Sequence, residues 1–392
     1  MIAWLLISFF VLLFLGVPIA MSLGLSAMGG ILFLGGGSTV TIAQRMFEGM
    51  NSFALLAIPL YTFAGFTMSK GGISKRLMDF CYSIVGHIYG GLAHVNVLSS
   101  MIFAGISGSA VADTAGVSGM FMPEMIRKGY SKNFTVAVTA ISSTIGIIIP
   151  PSIPMVVIAG ICGISTGKLF LGGIIPGILC GLAQMIVSYF LAKKEGVPKE
   201  PGHFTIGPVL HGLWESWPAL LMPIIIVGTI TMGIVSPTEA GVIAVVYGLF
   251  AGGIIYRELK WEDIKFAFAE TVRTSGRIFI VIGAAKLYTV MLTTAGFDKW
   301  VAKTMLGFST NPTVILIMIL LIFFIVTMFM ESIATLTLFM PILYPIALGV
   351  GINPIVLSVL ITVVIGIGLV TPPVGMCIYV ACDLMDTTVG EV

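Results

Sequence analysis

The sequence predicts an all-α polytopic membrane protein built as an inverted repeat, with two re-entrant hairpins and two broken helices. Three observations predict it. The chain has 392 residues, 58% hydrophobic and 9% charged, with a mean hydropathy of +1.11, whereas soluble domains carry about 25% charged residues. Several runs exceed the ~20 apolar residues that cross a bilayer, and the first charged side chain is Arg45. Landmarks also recur in order at near-constant spacing. Finally, four apolar runs are interrupted by Gly, Ser and Pro that a simple membrane helix does not need.

The landmarks are these. Val17-Pro18 is echoed by Ser236-Pro237, and Gly72-Ile73-Ser74-Lys75 by Gly296-Phe297-Asp298-Lys299. Phe121-Met122-Pro123 recurs as Phe339-Met340-Pro341, and Pro150-Pro151 as Pro372-Pro373. The offsets in residue number are 219, 224, 218 and 222 in that order. Four matches in one order indicate two related halves.

Taken in order, residues 2–36 are apolar with an interruption at Gly16-Val17-Pro18, giving one kinked helix or a short helix and a full one. The N-terminus lacks the basic region of a cleaved signal, so it reads as a retained helix. Residues 38–50 form an interfacial connector with Arg45 and Glu48, and 52–69 span. Residues 70–88 mix Lys70, Lys75, Arg76, Asp79 and His87 with apolar positions, as an amphipathic arm does. Residues 89–125 break at Gly105–Ser109, as two spans or a re-entrant hairpin, and 131–163 break at Gly146–Pro151. Residues 168–192 span, and the polar stretch 193–215 joins the halves. Spans are expected at 216–234, 238–256 and 272–295, with a charged connector at 257–270 and a second arm at 296–310. Residues 311–345 form another run, and 354–385 a broken one. The first copy follows its break with a span that the second lacks, so a final helix is expected beyond the sequence given.

Matching loops differ in charge. Arg127, Lys128 and Lys132 follow the first hairpin, whereas 346–354 holds no basic residue. Conversely, 38–50 holds Arg45 alone, while 257–270 holds Arg257, Lys260 and Lys265. Positive charge marks the cytoplasmic side, so matching loops fall on opposite faces and the repeat is inverted.

The composition excludes several chemistries. A net charge of +2 with no basic stripe argues against nucleic acid. The five cysteines form no CxxC pair and read as small buried hydrophobes. His87, His94, His203 and His211 lack zinc spacing. No HExxH, GxxxxGK[ST] or Ser-His-Asp set is present, so the chain reads as no enzyme and no ATPase, and pumping must draw on an ion gradient.

Paired broken helices in inverted repeats point to a secondary transporter's site. A helix that stops within the bilayer leaves carbonyls unpaired at one end and N–H groups at the other. Carbonyl and hydroxyl oxygens are hard ligands suited to sodium. The first half offers Ser107 and Ser109 with carbonyls around Gly146, Ile149 and Pro151. The second offers Ser332, Thr335 and Thr371 with carbonyls around Gly366, Gly368 and Pro373. Asp113 and Glu331, at matching places by the offset of 218, are acids inside apolar runs that could tune cation affinity, carry a proton or bond backbone. Ser152, after the first Pro-Pro, is grouped with them as a substrate or tuning residue. Glu239, beside Pro237, reads as a helix cap, and Arg273, Arg277 and Lys286 as interfacial anchors.

Several stretches resemble the large membrane subunit of tripartite ATP-independent periplasmic (TRAP) transporters. They are Ala57-Ile58-Pro59-Leu60 with Ala64-Gly65, Gly105-Ile106-Ser107-Gly108-Ser109-Ala110, and Ile149-Pro150-Pro151-Ser152. Ser236-Pro237-Thr238-Glu239-Ala240-Gly241 and Val370-Thr371-Pro372-Pro373-Val374-Gly375 complete the set. The resemblance implies an elevator-type carrier of the ion-transporter superfamily kind, in the bacterial inner membrane. Residues 1–69 and 216–295 would be scaffold, and 89–167 and 311–392 the transport domain. Residues 70–88 and 296–310 would be arms, and 168–215 a span and cytoplasmic linker. It implies Na+ coupling at Ser107, Ser109, Gly146, Ile149 and Pro151, with a second site near the Glu331 tip and Thr371–Pro373. It also implies a small four-helix membrane subunit on a separate chain and a periplasmic substrate-binding protein. The expected activity is sodium-coupled uptake of an organic acid anion: a C4-dicarboxylate, sugar acid or sialic acid. The competing readings are an ion channel, a DASS-like stand-alone carboxylate carrier, and an intramembrane enzyme built on Asp113 and Glu331.

Overall fold

The computed structural model describes residues 1–34, 38–197 and 204–392. Regular structure among them is helical. The first half runs α1 (Ile2–Phe14), α2 (Ile19–Leu34), α3 (Thr39–Met50) and α4 (Ala57–Lys70), then the arm α5 (Ile73–Val85). A hairpin of α6 (Gly91–Ser107) and α7 (Ala110–Arg127) follows. Next come α8 (Lys132–Ser143), a 3-10 turn at Thr144–Ile147, α9 (Ile153–Cys162) and α10 (Thr166–Lys194).

The second half repeats the series. It comprises α11 (Ile206–Thr231), α12 (Pro237–Phe250), α13 (Trp261–Thr294) and the arm α14 (Phe297–Phe308). The hairpin α15 (Pro312–Thr327) and α16 (Ser332–Gly349) precedes α17 (Pro354–Gly368) and α18 (Met376–Asp383). From α7 and α16 through α8 and α17 to the two Pro-Pro pairs, counterparts keep one constant offset, that of Pro150 to Pro372. The long α13 corresponds to α3 and α4 taken together. Both arms start after a left-handed glycine, Gly72 at φ 78° and Gly296 at φ 79°, a conformation that costs glycine little.

The packing respects the repeat. α12 lies on α4, and its counterpart α2 lies on α13; α9 lies on α16, and its counterpart α18 on α7. The halves are also tied by polar contacts: Tyr61 donates its hydroxyl to the Pro237 carbonyl (2.8 Å) and Thr238 to the Phe53 carbonyl (3.0 Å). With hairpins that return to the side they entered, as the sequence predicts, α1, α2, α4, the α8–α9 pair and α10 would cross an odd number of times before α11, and the second copy would enter from the opposite face.

Among the described residues, six helical segments are long and apolar enough to cross a membrane, including Thr166–Lys194, Ile206–Thr231 and Trp261–Thr294. Two boundaries differ from the sequence reading. α11 begins at Ile206, well before the span expected from 216, and α13, starting at Trp261, absorbs all but the first four residues of the connector expected at 257–270. Pro208 is tolerated because the first turn needs no intrahelical N–H. Within the two stretches expected as linkers, polar side chains pair along the helices: His211 lies 3.3 Å from Glu215, and Lys265 pairs with Glu262 at 3.0 Å. α10 ends at Lys194 and α11 begins at Ile206; of the joint expected at 193–215, residues 198–203, with Pro198, Pro201 and His203, lie outside the described residues.

Candidate functional site

Each hairpin tip rests on the break of a neighbouring helix. In the first half α6 ends at Ser107, and Gly108 turns the chain in a left-handed conformation (φ 63°). A side chain at Gly108 would meet the Pro151 carbonyl oxygen at 2.6 Å, so only glycine lets the tip approach. The Ile153 N–H then donates to the Gly108 carbonyl at 3.1 Å. In the second half the Val374 N–H donates to the Met328 carbonyl at 3.0 Å. Gly368 packs against the Thr327 hydroxyl so closely that a β-carbon has no room. Each tip therefore lies level with the break it touches, the arrangement a re-entrant hairpin requires.

Proline explains the breaks: it removes an amide donor and collides with the preceding turn. Among the described residues, no donor reaches the carbonyls of Ile149, Pro150 and Pro151, or of Thr371, Pro372 and Pro373. Such backbone is tolerated in a membrane only where protein buries it or it lines a cavity. The first break is wedged between the hairpin tip and α10, where Gly173 abuts the Ile148 carbonyl and Gly177 the Ile149 side chain.

The first set of expected residues converges. Ser109 is the N-cap of α7, its hydroxyl accepting the Ala112 N–H at 3.4 Å. A β-carbon on Gly146 would lie 3.4 Å from the Ser109 carbonyl oxygen and 3.5 Å from the Asp113 β-carbon. Ser107 is 5% exposed and Asp113 is fully buried. Neither the Ser107 hydroxyl nor either Asp113 carboxyl oxygen has a hydrogen-bond partner among the described residues. Ser100 faces Asp113, but its hydroxyl donates to Ser142 (3.3 Å). Ser152 is the N-cap of α9, donating to the Ile147 carbonyl and accepting the Met155 N–H at 3.3 Å. Both sides of that hydroxyl are taken, so it serves the helix start.

The second set converges less. Ser332 donates to Glu331 Oε1 (2.8 Å), and Thr335 to the Glu331 carbonyl (3.1 Å). Thr371 donates to the Ile367 carbonyl (2.7 Å), and the Gly368 carbonyl accepts the Thr371 N–H (3.1 Å). Gly366 packs on Thr144 of the first half rather than on the second hairpin. Pro373 lies in the break itself. Thr327 and Met328, not Ser332 or Thr335, bring the second tip to that break.

Asp113 and Glu331 are not counterparts. α7 starts at Ala110 and α16 at Ser332, so Glu331 matches Ser109 and Asp113 matches Thr335. The offset of 218 that paired them falls one helical turn short. Glu331 is an N-cap whose Oε2 accepts the N–H groups of Ile333 (3.0 Å) and Ala334 (3.3 Å). It bonds backbone at the tip. Glu239 closes a capping box with Ser236, as its place beside Pro237 suggested.

Sequence reasoning missed a buried polar ladder leading toward Asp113. Asn96 donates to Thr139 (2.7 Å), Ser142 donates to Asn96 (3.2 Å), and Thr114 donates to Ser143 (2.6 Å). The spacing of Thr135, Thr139, Ser142 and Ser143 along one helix was the available signal. Among the described residues no three of His, Cys, Asp and Glu converge on a metal-sized site, and all five cysteines are unpaired. The polar groups named at the first break are all oxygens: hydroxyls, carbonyls and one carboxyl.

Residues 6–392 match the family described as tripartite ATP-independent periplasmic transporter, DctM component. The sialic acid TRAP transporter large permease protein SiaM of Vibrio cholerae is 36% identical, over 96% of this chain and 88% of its own length. The C4-dicarboxylate TRAP transporter large permease protein DctM of Pseudomonas aeruginosa is 36% identical, over 94% of this chain and 86% of its own. The isethionate TRAP transporter permease protein DctMQ of Oleidesulfovibrio alaskensis is 37% identical over 98% of this chain, which spans 60% of that protein's length. The crystal structure of the YdaH transporter from Alcanivorax borkumensis shares the fold, with a TM-score of 0.56 at 14% identity over 89% of this chain and 82% of its own. With hairpin tips seated on paired breaks and a family match along nearly its whole length, the chain belongs to the DctM family, the large permease subunits of TRAP transporters.

Proposed function

We propose that this chain is the membrane permease of a sodium-coupled, binding-protein-dependent importer of an organic acid anion, acting in the inner membrane by an elevator mechanism. The observation that supports the coupling is the first break: bare carbonyls of Ile149, Pro150 and Pro151, with Gly108 of the hairpin tip packed on Pro151 between an unpartnered Ser107 hydroxyl and Ser109, whose carbonyl borders Gly146. These oxygens fit a sodium ion, which would supply the driving force of uptake. Ser107, Ser109, Gly146, Ile149 and Pro151 would hold one ion. Thr371, Pro373 and Gly368, with Thr327 beside them, would hold a second, where Ser332 and Thr335 shape the tip.

In this reading the two hairpins and broken helices move as a transport domain against a scaffold of α1–α4 and α11–α13. A small four-helix subunit braces the scaffold, and a periplasmic binding protein delivers the substrate. The named substrates of the relatives, sialic acid, C4-dicarboxylates and isethionate, are all anions. An anionic cargo favours cation symport because the cation offsets the charge that must cross the low-dielectric membrane.

Reconstitution into proteoliposomes with the small subunit and binding protein tests this. Uptake of a labelled organic acid should require an inward sodium gradient and fall strongly in the Ser107→Ala, Ser109→Ala double variant. Uptake unchanged when potassium replaces sodium would overturn it.

A further inference from the structure

The two breaks are related by the repeat, yet they are not electrically alike. At the second tip the acidic residue is consumed: both Glu331 oxygens accept protein hydrogen bonds. One turn further along stands Thr335, which is neutral. At the first tip the N-cap is the neutral Ser109, and one turn further along stands Asp113. Asp113 is fully buried with both oxygens unpartnered, and it joins no ion pair among the described residues. Its β-carbon and the Ser109 carbonyl oxygen both border Gly146, at 3.5 Å and 3.4 Å from where a β-carbon there would stand. A charge taken from water and left unpaired is costly, and it is retained where a counter-ion or metal answers it. The helix start lends partial positive charge but occupies neither oxygen.

We propose that Asp113 furnishes a fixed negative charge, free of protein hydrogen bonds, to the first cation seat, whereas the carboxylate at the second tip, Glu331, is held by its own helix start, so the two seats differ in affinity and the first fills first. This rests on the sodium reading above. It adds a residue to the seat and ranks the seats. Ligand charge count is a main determinant of cation affinity at oxygen sites, so a carboxylate with both oxygens free at the first tip, against one with both oxygens engaged at the second, separates them.

The test is sodium-dependent thermal stabilisation of the purified full chain in nanodiscs, with choline replacing sodium at constant ionic strength. The wild type should melt higher with sodium in two phases. Asp113→Asn should weaken the tighter phase by about tenfold or more and leave the weaker one in place. Asp113→Glu, which keeps the charge but displaces it, should fall between, and it substitutes should the Asn variant fail to fold. Glu331→Gln should lower the melting temperature without sodium yet keep the tighter phase. A tighter phase unaltered in both Asp113 variants overturns the proposal and leaves the sodium reading standing. A wild type that sodium does not stabilise at all overturns that reading first.

Discussion

Gly366 touches Thr144: a β-carbon on Gly366 would lie 3.4 Å from the Thr144 β-carbon, and the two are counterparts, at the same offset as Pro150 and Pro372. Where an element meets its own image, the pseudo-two-fold axis passes. The axis therefore runs between the two broken helices at the level of their breaks. The paired breaks are thus one central feature seen twice.

The crossing has little slack. Gly366→Ala should cost under about 1 kcal/mol, while Gly366→Val, which drives methyls into Thr144, should cost about 1–3 kcal/mol. Melting temperature in detergent reads both. Equal tolerance of Val and Ala would show that the helices part there.

Gly108 is more demanding. Its positive φ, and the Pro151 oxygen lying 2.6 Å from where a β-carbon would stand, both oppose any other residue. Gly108→Ala should destabilise by about 1–3 kcal/mol and abolish sodium-driven uptake, since the tip can no longer seat on the break.

Glu331 holds the second tip through two backbone amides. Glu331→Ala should cost about 0.5–2 kcal/mol, as N-cap removals do. Ser236→Ala, which opens the capping box with Glu239, should cost a similar amount. The two sites share no partner and should add. Thermal melts of the single and double variants check both statements.

Arg76 bolts the first arm to the second half. It pairs with Glu258 (2.7 Å), donates to the Gly72 carbonyl (2.9 Å), and lies 4.2 Å from the Tyr256 ring centre. Ser216 donates to its backbone carbonyl (2.9 Å). The ion pair is half exposed and worth little by itself, so Glu258→Gln should cost under about 0.5 kcal/mol. Arg76→Ala, which also loses the ring and carbonyl contacts, should cost about 1–2 kcal/mol, and Lys should not restore it. Denaturant midpoints of the three variants decide.

The breaks were legible because proline and glycine declare themselves: a Pro-Pro pair inside an apolar run has no helical explanation. The arms, the hairpins and the repeat followed from the same punctuation. The register of the hairpins was not legible, because Phe-Met-Pro recurs at 218 while the helices align at 222, and Pro123 finds a proline at either spacing, Pro341 or Pro345. Nor were Thr144 and Thr327, since a lone threonine in an apolar helix serves tight crossing as readily as a site. The early start of α11 was hidden because Pro208 looks, in one dimension, like part of the proline-rich joint before it, whereas a proline in the first turn of a helix is tolerated.

The bolt at Arg76 has no twin. In the second arm Lys299 and Lys303 join no ion pair among the described residues, and α14 buries little beyond Met305. One flank of the molecule is riveted and the other yields. Any travel of the hairpins therefore meets a stiff boundary on one side and a compliant one on the other. In the elevator reading proposed above, outward and inward strokes would then not be mirror images, even though the architecture nearly is.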